Sequence, residues 1–482
     1  MLPGDGVRRL IYAKSFAKSR FLEGAPRKRL KTGVSLSPVL LDRLYRAHVR
    51  ELETRAARLL VAQGFDGLVV HSGSPAKRSQ YDDQYWPLRA CPHFLYWVPL
   101  PHADCALIVR PGSRTKVLRP VVTNFWENPP PLETECFAEE LDVVMLRKAT
   151  DAERRSHVGG GRVAFIGEDR AIARAWGIAD KDACPPGLLR EFDALRTVKT
   201  PYEVACIAEA NLRARAGHEA LRAAFAAGNA SELDLHLLYL KATAQDDSDT
   251  PYKNIVALGA HAATLHHVAY GRLRSERAAE SLLVDAGATC RGYGSDVTRT
   301  WTKGSGAAAT TFAQLVAEID QLQRRLCAAV RTGTAFEALH DESHREVAHV
   351  LCGVGIVRGT PDEALASGAT RAFYPHGLGH SLGLQTHDVG CGLRPPRGDN
   401  PFLRNTADTA PGHVITIEPG VYFIESLLEE LRATPHGSIV DWRLVDALAP
   451  LGGVRVEDDI HVLDDGIRNL TREHLPLGGG RA

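Results

Sequence analysis

The sequence predicts two domains in series, a small α/β domain followed by a larger α+β domain. Three observations predict this. At 482 residues the chain exceeds the size at which a single hydrophobic core stops growing. Strand-like and helix-like segments alternate up to about residue 195, the pattern of an α/β unit. From Asn254 onward short strands, turns and helices mix without that alternation, an α+β pattern.

Residues 1–38 form a basic extension. Arg8, Arg9, Lys14, Lys18, Arg20, Arg27, Lys28, Arg29 and Lys31 face only Asp5 and Glu23 before residue 32. A transit peptide, a disordered tail and a misassigned start are the three readings. The modest serine content favours a disordered or artefactual extension. Residues 39–63 then place apolar side chains at three- and four-residue steps, which predicts a helix ended by Gly64. Gly67–His71, Cys105–Arg110, Leu141–Leu146 and Arg162–Gly167 read as strands. These make the α/β domain, 39–195. Thr200 followed by Pro201 and Glu203 is a helix start: a capping hydroxyl, proline in the first turn and an acid at the positive end. That helix runs to Ala227, where Gly228 and Asn229 stop it, and Glu232–Thr243 forms another. The second domain spans 196–475, and its 392–411 segment, rich in proline, glycine, arginine and aspartate, reads as a loop.

Composition excludes several classes of function. Lysine plus arginine equals aspartate plus glutamate at 58 each, so nothing points to nucleic acid or an anionic membrane as partner. The nine cysteines are dispersed without a Cys-x-x-Cys pair, which predicts reduced thiols in a cytoplasmic protein. No apolar run approaches the roughly 20 residues that span a bilayer.

Chemistry-bearing residues concentrate in the second domain. Asp285 ends the apolar run Ser281-Leu-Leu-Val, and Asp296 precedes the strand-like Val297–Trp301. Gly292-Tyr293-Gly294 supplies a turn, so a hairpin sets both carboxylates at one end. Solvated turn aspartates are the alternative, but a carboxylate ending an apolar strand is costly to bury unpaired. His376, His380 and His387 lie within one short glycine-rich stretch. The first two have the i, i+4 spacing of helical zinc sites, yet Pro375, Gly377, Gly379 and Gly383 oppose a helix. Val414-Ile-Thr-Ile-Glu418 reads as a strand ending in a turn. In Gly453–Val462 a period of two sets Arg455, Glu457 and Asp459 on one face, where plain surface charge is the alternative. Of the adjacent His266 and His267, an extended backbone turns only one toward a given site. Four carboxylates and one imidazole suit hard or borderline divalent ions, and so many negative charges suit two of them.

Together these segments resemble the pita-bread metallopeptidase family. The resemblance rests on Asp285 in Leu-Val-Asp-Ala-Gly, Asp296 in Ser-Asp-Val-Thr-Arg-Thr, His380 in His-Gly-Leu-Gly-His, Glu418 in Thr-Ile-Glu-Pro-Gly and Glu457 in Arg-Val-Glu-Asp-Asp. Pro251-Tyr252-Lys-Asn, Gly383-Leu-Gln-Thr-His387 and Asp82-Asp83-Gln-Tyr-Trp-Pro look like its bacterial Xaa-Pro dipeptidase (prolidase) branch, close to organophosphorus acid anhydrolases. The resemblance covers about residues 40–475. It implies a pita-bread catalytic domain that hydrolyses dipeptides ending in proline with two divalent ions, in this family usually Mn²⁺.

It also implies roles. Asp285 is a terminal ligand, Asp296 and Glu457 bridge, and His380 and Glu418 complete the second ion's shell. His266, His376 and His387 line the active site, and Glu418 handles the proton. Tyr252 shapes a small pocket, and Arg455 meets the dipeptide carboxylate. Asp83 reaches the site of a second subunit, which implies a homodimer. Gly259-Ala260, His267 and Thr386 depart from the commoner pattern and leave the pocket preference open. The rivals are an aminopeptidase P acting on longer peptides, an organophosphate hydrolase as side activity, and a non-enzymatic binding module. The last is disfavoured because all five ligand positions are filled.

Overall fold

The computed structural model describes residues 36–122, 126, 135–228, 230–273, 279–389, 392 and 394–482. The basic extension therefore lies outside the described residues except for its last three, and Asn229 and Cys391 lie outside as well. Pro38–Ala62 forms the first helix. Ser37 caps it, and Pro38 suits the first turn because it lacks the N–H that would go unpaired there. Tyr45, Val49, Leu52, Ala56 and Leu60 recur at helical spacing and are buried together.

Five strands follow: β1 (Gly67–His71), β2 (Ala106–Val109), β3 (Lys116–Pro120), β4 (Asp142–Leu146) and β5 (Val163–Ile166). They pair in the order β4-β3-β2-β1-β5. The β1–β2 and β2–β3 pairs are antiparallel, while β1–β5 and β3–β4 are parallel. Alternation decides the two faces. Leu68 and Val70 join the core under the first helix, while Val69 joins a second core with Ile108, Leu118, Phe165 and Trp176. Four of the strands match the sequence expectation. β3 gives no such signal, because Lys116, Arg119 and Pro120 leave only two apolar residues between them.

The helix Pro186–Thr197 crosses the boundary expected at residue 195, and a short connection leads to the helix Pro201–Ala227. Its start is a reciprocal capping box: the Glu203 N–H donates to Thr200 Oγ1, and the Thr200 N–H donates to Glu203 Oε2. His48 of the first helix sits 2.8 Å from the same Thr200 hydroxyl. After the helix Glu232–Thr243 come β6 (Ile255–Leu258), β7 (Ser281–Asp285), β8 (Thr289–Cys290), β9 (Tyr293–Gly294) and β10 (Thr298–Thr302). Further on are β11 (Val414–Ile417), β12 (Gly420–Tyr422), β13 (Gly453–Arg455), β14 (Asp458–Val462), β15 (Ile467–Asn469) and β16 (Gly479–Arg481). They form a sheet in the order β16-β10-β7-β6, a sheet β11-β14-β15, and the pairs β12–β13 and β8–β9. Helices Ala307–Ala329 and Phe336–Gly353 pack a shared core against β11, β12 and β14.

One expectation changes here. Gly453–Val462 is not a single strand. It breaks at Val456–Glu457, with β13 pairing β12 and β14 pairing β11. The period of two therefore does not carry through, and Asp459 turns away from the face of Arg455.

Candidate metal centre

The antiparallel register of β7 and β10 sets Asp285 opposite Thr298, and that of β6 and β7 sets Ile255 opposite Asp285. Tyr252, Asp285 and Asp296 therefore gather at one end of the sheet. The Tyr252 hydroxyl lies 2.7 Å from Asp285 Oδ1 and 2.6 Å from Asp296 Oδ1. The hydroxyl lies between the two carboxylates and has one proton to give, so Tyr252 holds them as a pair.

The histidine-rich segment lies extended along β11. The Thr416 N–H donates to the His380 carbonyl (2.9 Å), and the Glu418 N–H donates to the Leu378 carbonyl (2.8 Å). This pairing sets His380 and Glu418 side by side, with Nε2 to Oε1 at 3.6 Å. The approach is close enough to require glycine: a Cβ on Gly379 would lie 2.0 Å from the Thr416 carbonyl oxygen. Gly379→Ala is expected to destabilise the protein by about 1–3 kcal/mol through overpacking. Chemical denaturation paired with an activity assay reads both losses.

His380 is held in one tautomer. Its Nδ1–H donates to the Ser381 carbonyl (3.0 Å), which turns Nε2 toward Asp296 Oδ2 at 3.4 Å. Glu457 enters from the break between β13 and β14. Its N–H donates to the Thr298 carbonyl, and its Oε2 accepts from Thr298 Oγ1 at 2.7 Å. Single donor atoms of Asp296, His380 and Glu457 all lie within 4.8 Å of one another.

The electrostatics are those of a site lacking positive charge. Burial drives the Glu418 carboxyl up to about 7, and it pushes Glu457 well above and Asp285 above the usual carboxylate range. Burial would raise Asp296 too, but its bond with His380 outweighs this and holds it low. Burial alone would lower His380, yet Asp296 and Glu418 outweigh it and raise the imidazole to about 9. Four carboxylates thus share His380 and Arg455 as neighbouring cations. Divalent ions fit the oxygen-rich donor set and relieve the repulsion, displacing the proton from His380 as they bind.

All five of these residues line one cavity of about 1650 Å³, together with Tyr252, His266, His376, His387 and Arg455. Asp83 does not line it. Asp83 is exposed on the 76–89 segment, and Gln84 Nε2 donates to it. His376 is engaged at both nitrogens, Nδ1–H to the Gly377 carbonyl and Nε2 with the Tyr422 hydroxyl, both at 2.8 Å. Burial and the Arg455 charge lower it to about 3, so it is neutral. His387 packs edge-on against His380 with ring centroids 4.5 Å apart. Burial, with His380 and Arg404 nearby, lowers it to about 4.

Arg455 differs most from the expectation. It is 4% exposed. Nη2 donates to Asp285 Oδ2 (2.6 Å), Nη1 to the Tyr422 hydroxyl (2.9 Å) and Nε to Thr298 Oγ1 (3.1 Å). Every nitrogen already serves the protein, so its guanidinium supports a carboxylate of the cluster. Arg404 also lines the cavity, as do Arg89 and Arg291, and its charge is felt at His387. It is exposed and makes no side-chain ion pair among the described residues.

Some members of the site escaped the sequence reading. Thr298 opens β10 two residues past Asp296, and Tyr422 ends β12 beyond the break at Glu418-Pro419, so no unbroken strand pattern marks them. Arg404 stands in the loop, where no periodicity points anywhere. Behind the cavity, Asp459 Oδ2 accepts from the Asp296 N–H (3.1 Å) and from Asn211 Nδ2 (2.7 Å), which braces Asp296 from behind.

Comparison with known proteins agrees with this picture. Residues 205–464 match the profile of Metallopeptidase family M24, and residues 43–193 match that of the Xaa-Pro dipeptidase N-terminal domain. The Xaa-Pro dipeptidase of Pseudoalteromonas atlantica is 38% identical over 441 residues, covering 90% of this chain and 98% of that one. That of Marinobacter nauticus is 40% identical over 436 residues, again covering 90% and 98%. Among solved structures, proline aminopeptidase P II from Yersinia pestis superposes with a TM-score of 0.67 at 22% identity, covering 89% of this chain and 97% of that one. Zn-substituted Escherichia coli aminopeptidase P in complex with product gives 0.66 at 21%, covering 92% and 96%. At such identities these two structures speak to the fold.

Proposed function

The chain belongs to metallopeptidase family M24, and from that premise we propose that it is an Xaa-Pro dipeptidase working with two divalent ions. The observation that carries the proposal is the convergence of Asp285, Asp296, His380, Glu418 and Glu457 on one cavity wall. Asp285, Asp296, His380, Glu418 and Glu457 would hold the ions, Asp296 and Glu457 being the pair shared between them, with Mn²⁺ as the proposed metal. Such ions would activate a water and polarise the scissile carbonyl.

The chain's own residues do the rest. Glu418, beside His380 and His376, takes the water's proton on its carboxylate and delivers it to the proline nitrogen, which has no hydrogen of its own. His266 and His387 face the cavity as hydrogen-bond donors for the carbonyl oxygen as charge builds there. His376 steadies Tyr422, and Tyr422 and Arg455 steady Asp285. Tyr252 closes the floor of the pocket.

Arg455 was the expected partner of the substrate carboxylate. With its nitrogens engaged, we move that role to Arg404. Losing a charge-assisted contact of this kind costs about 1.5–3 kcal/mol, or about 10- to 100-fold. Arg404→Ala is expected to raise KM for Ala-Pro by that factor with a smaller change in kcat. On the amidated Ala-Pro-NH₂, which has no carboxylate to lose, wild type and variant should perform alike.

We further propose a homodimer in which the partner subunit's Asp83 meets the substrate amino group. We place the protein in the cytoplasm, with a domain division near residue 195. Among the described residues no helix is long and apolar enough to cross a membrane. Organophosphate esters would reach the same activated water as a side activity. The deciding experiment compares Ala-Pro with Ala-Pro-Ala on Mn²⁺-loaded protein. Faster dipeptide cleavage is expected. Faster tripeptide cleavage would favour an aminopeptidase P, and no metal-dependent cleavage of either would defeat the reading.

A further inference from the structure

His267, the histidine that turns away from the cavity beside His266, has a destination of its own. Its Nε2 lies 2.8 Å from Glu232 Oε2, and His261 Nδ1 lies 2.7 Å from Glu232 Oε1. The two imidazoles stack with centroids 4.5 Å apart and planes within 27°. One donor atom from each of the three residues falls within a 4.8 Å cluster. None of the three has a part in the chemistry described above.

The carboxylate is built to stay ionised and fixed. Glu232 is the first residue of the helix Glu232–Thr243, at the positive end of its dipole. Its oxygens also accept from the Leu258 N–H (2.9 Å) and the Gly271 N–H (2.7 Å). Each oxygen thus uses one lone pair on backbone and offers the other to a histidine. The lone pair facing the histidine is the one a cation would take. The carboxylate is buried, whereas the His261 side chain is 55% exposed, so an ion and its waters have a way in.

We propose that Glu232, His261 and His267 form a mononuclear site for a borderline divalent cation such as Zn²⁺ or Ni²⁺, separate from the four-carboxylate centre. Two imidazoles and one carboxylate carry a single negative charge, which suits one such ion rather than a pair of harder ones. On binding, each histidine turns a lone pair to the ion and keeps its proton on the other ring nitrogen. The bound ion ties the start of the helix to the segment that carries His266.

The test is equilibrium dialysis of the full chain against Zn²⁺ with metal analysis, for wild type, His261→Ala and His267→Ala. The expected result is one equivalent fewer in each variant, or affinity for that equivalent weakened by about tenfold or more. This difference holds however many ions the other centre takes. A Cu²⁺ paramagnetic resonance spectrum adds an independent signature, because of the two three-ligand clusters among the described residues this one offers two imidazole nitrogens and the other offers one. Coupling to two nitrogens is expected in the wild type and should disappear in His261→Ala. Because His261 is half exposed, that variant is the one that keeps its fold. Equal stoichiometry and equal spectra in wild type and His261→Ala would overturn the proposal.

Discussion

Asp296→Asn is expected to lower Ala-Pro hydrolysis by about a hundredfold or more, which is about 2.7 kcal/mol of barrier, while leaving the fold intact. Asn matches Asp in shape, so the contacts with Tyr252 and the backbone support from Asp459 keep their geometry. What changes is charge. The wild-type cluster crowds four carboxylates around His380 and Arg455, and Glu457 and Asp285 are raised in part by the Asp296 charge. Removing that charge relieves repulsion among the carboxylates but takes the buried ion-pair partner from His380. The metal-free melting temperature should therefore fall. Added metal should widen the gap, because a weaker site gains less stabilisation from ligand binding. Thermal melts with and without Mn²⁺, run beside a turnover assay, separate the two effects. Wild-type turnover in the variant would mean that the chemistry lies elsewhere.

Asp388→Asn should cost about 3–5 kcal/mol of stability, the usual penalty for stripping one partner from a buried ion cluster. Asp388 Oδ1 lies 2.6 Å from Arg196 Nη2, and Oδ2 lies 2.6 Å from Lys199 Nζ. All three side chains are 1% exposed. Arg196 also donates to Gln385 Oε1, and Lys199 to the Arg196 carbonyl. Without the carboxylate two buried cations face each other, and Asp193, 4.0 Å from Arg196 Nη1, is too far to replace it. Because Asp388 adjoins His387, lost activity should accompany the lost stability.

The pH dependence has a defined sign. Burial alone would raise the Asp388 carboxyl, but Lys199 and Arg196 outweigh it and hold it below its ordinary value. A depressed carboxyl stabilises the fold above its unfolded pKa, roughly 3.9, and loses that contribution as pH falls through the folded value. Wild type should therefore lose stability below about pH 4, and Asp388→Asn should show a shallower loss over the same range. Denaturation midpoints across acid pH check this. Parallel curves would show that the cluster does not govern acid stability.

These two residues mark where sequence information runs out. Asp296 announces itself through local pattern: a carboxylate between a glycine turn and a threonine-rich strand, one of five candidate ligands in order. Asp388 follows His387 with nothing to distinguish it from a loop aspartate, and its partners lie about 190 residues earlier. The same contrast divides the arginines. Arg455 sits two residues from a ligand on a readable strand, so sequence could place it at the site. Only its contacts reveal that Asp285, Tyr422 and Thr298 already occupy its nitrogens.

What the sequence determined by itself is what period and spacing encode. That covers the α/β and α+β halves, the first helix with its buried face, the capped helix at Thr200, and the five candidate ligands. Backbone geometry is local, so a strand's alternation or a glycine's freedom is written within a few residues of its effect. Only tertiary structure decided the rest. It broke Gly453–Val462 into two strands on different sheets, sent His267 to Glu232 rather than to the cavity, and left Arg404 facing the site. Each of these depends on which distant groups meet in a buried space. There, a charge or hydrogen bond takes its value from partners that no local pattern names.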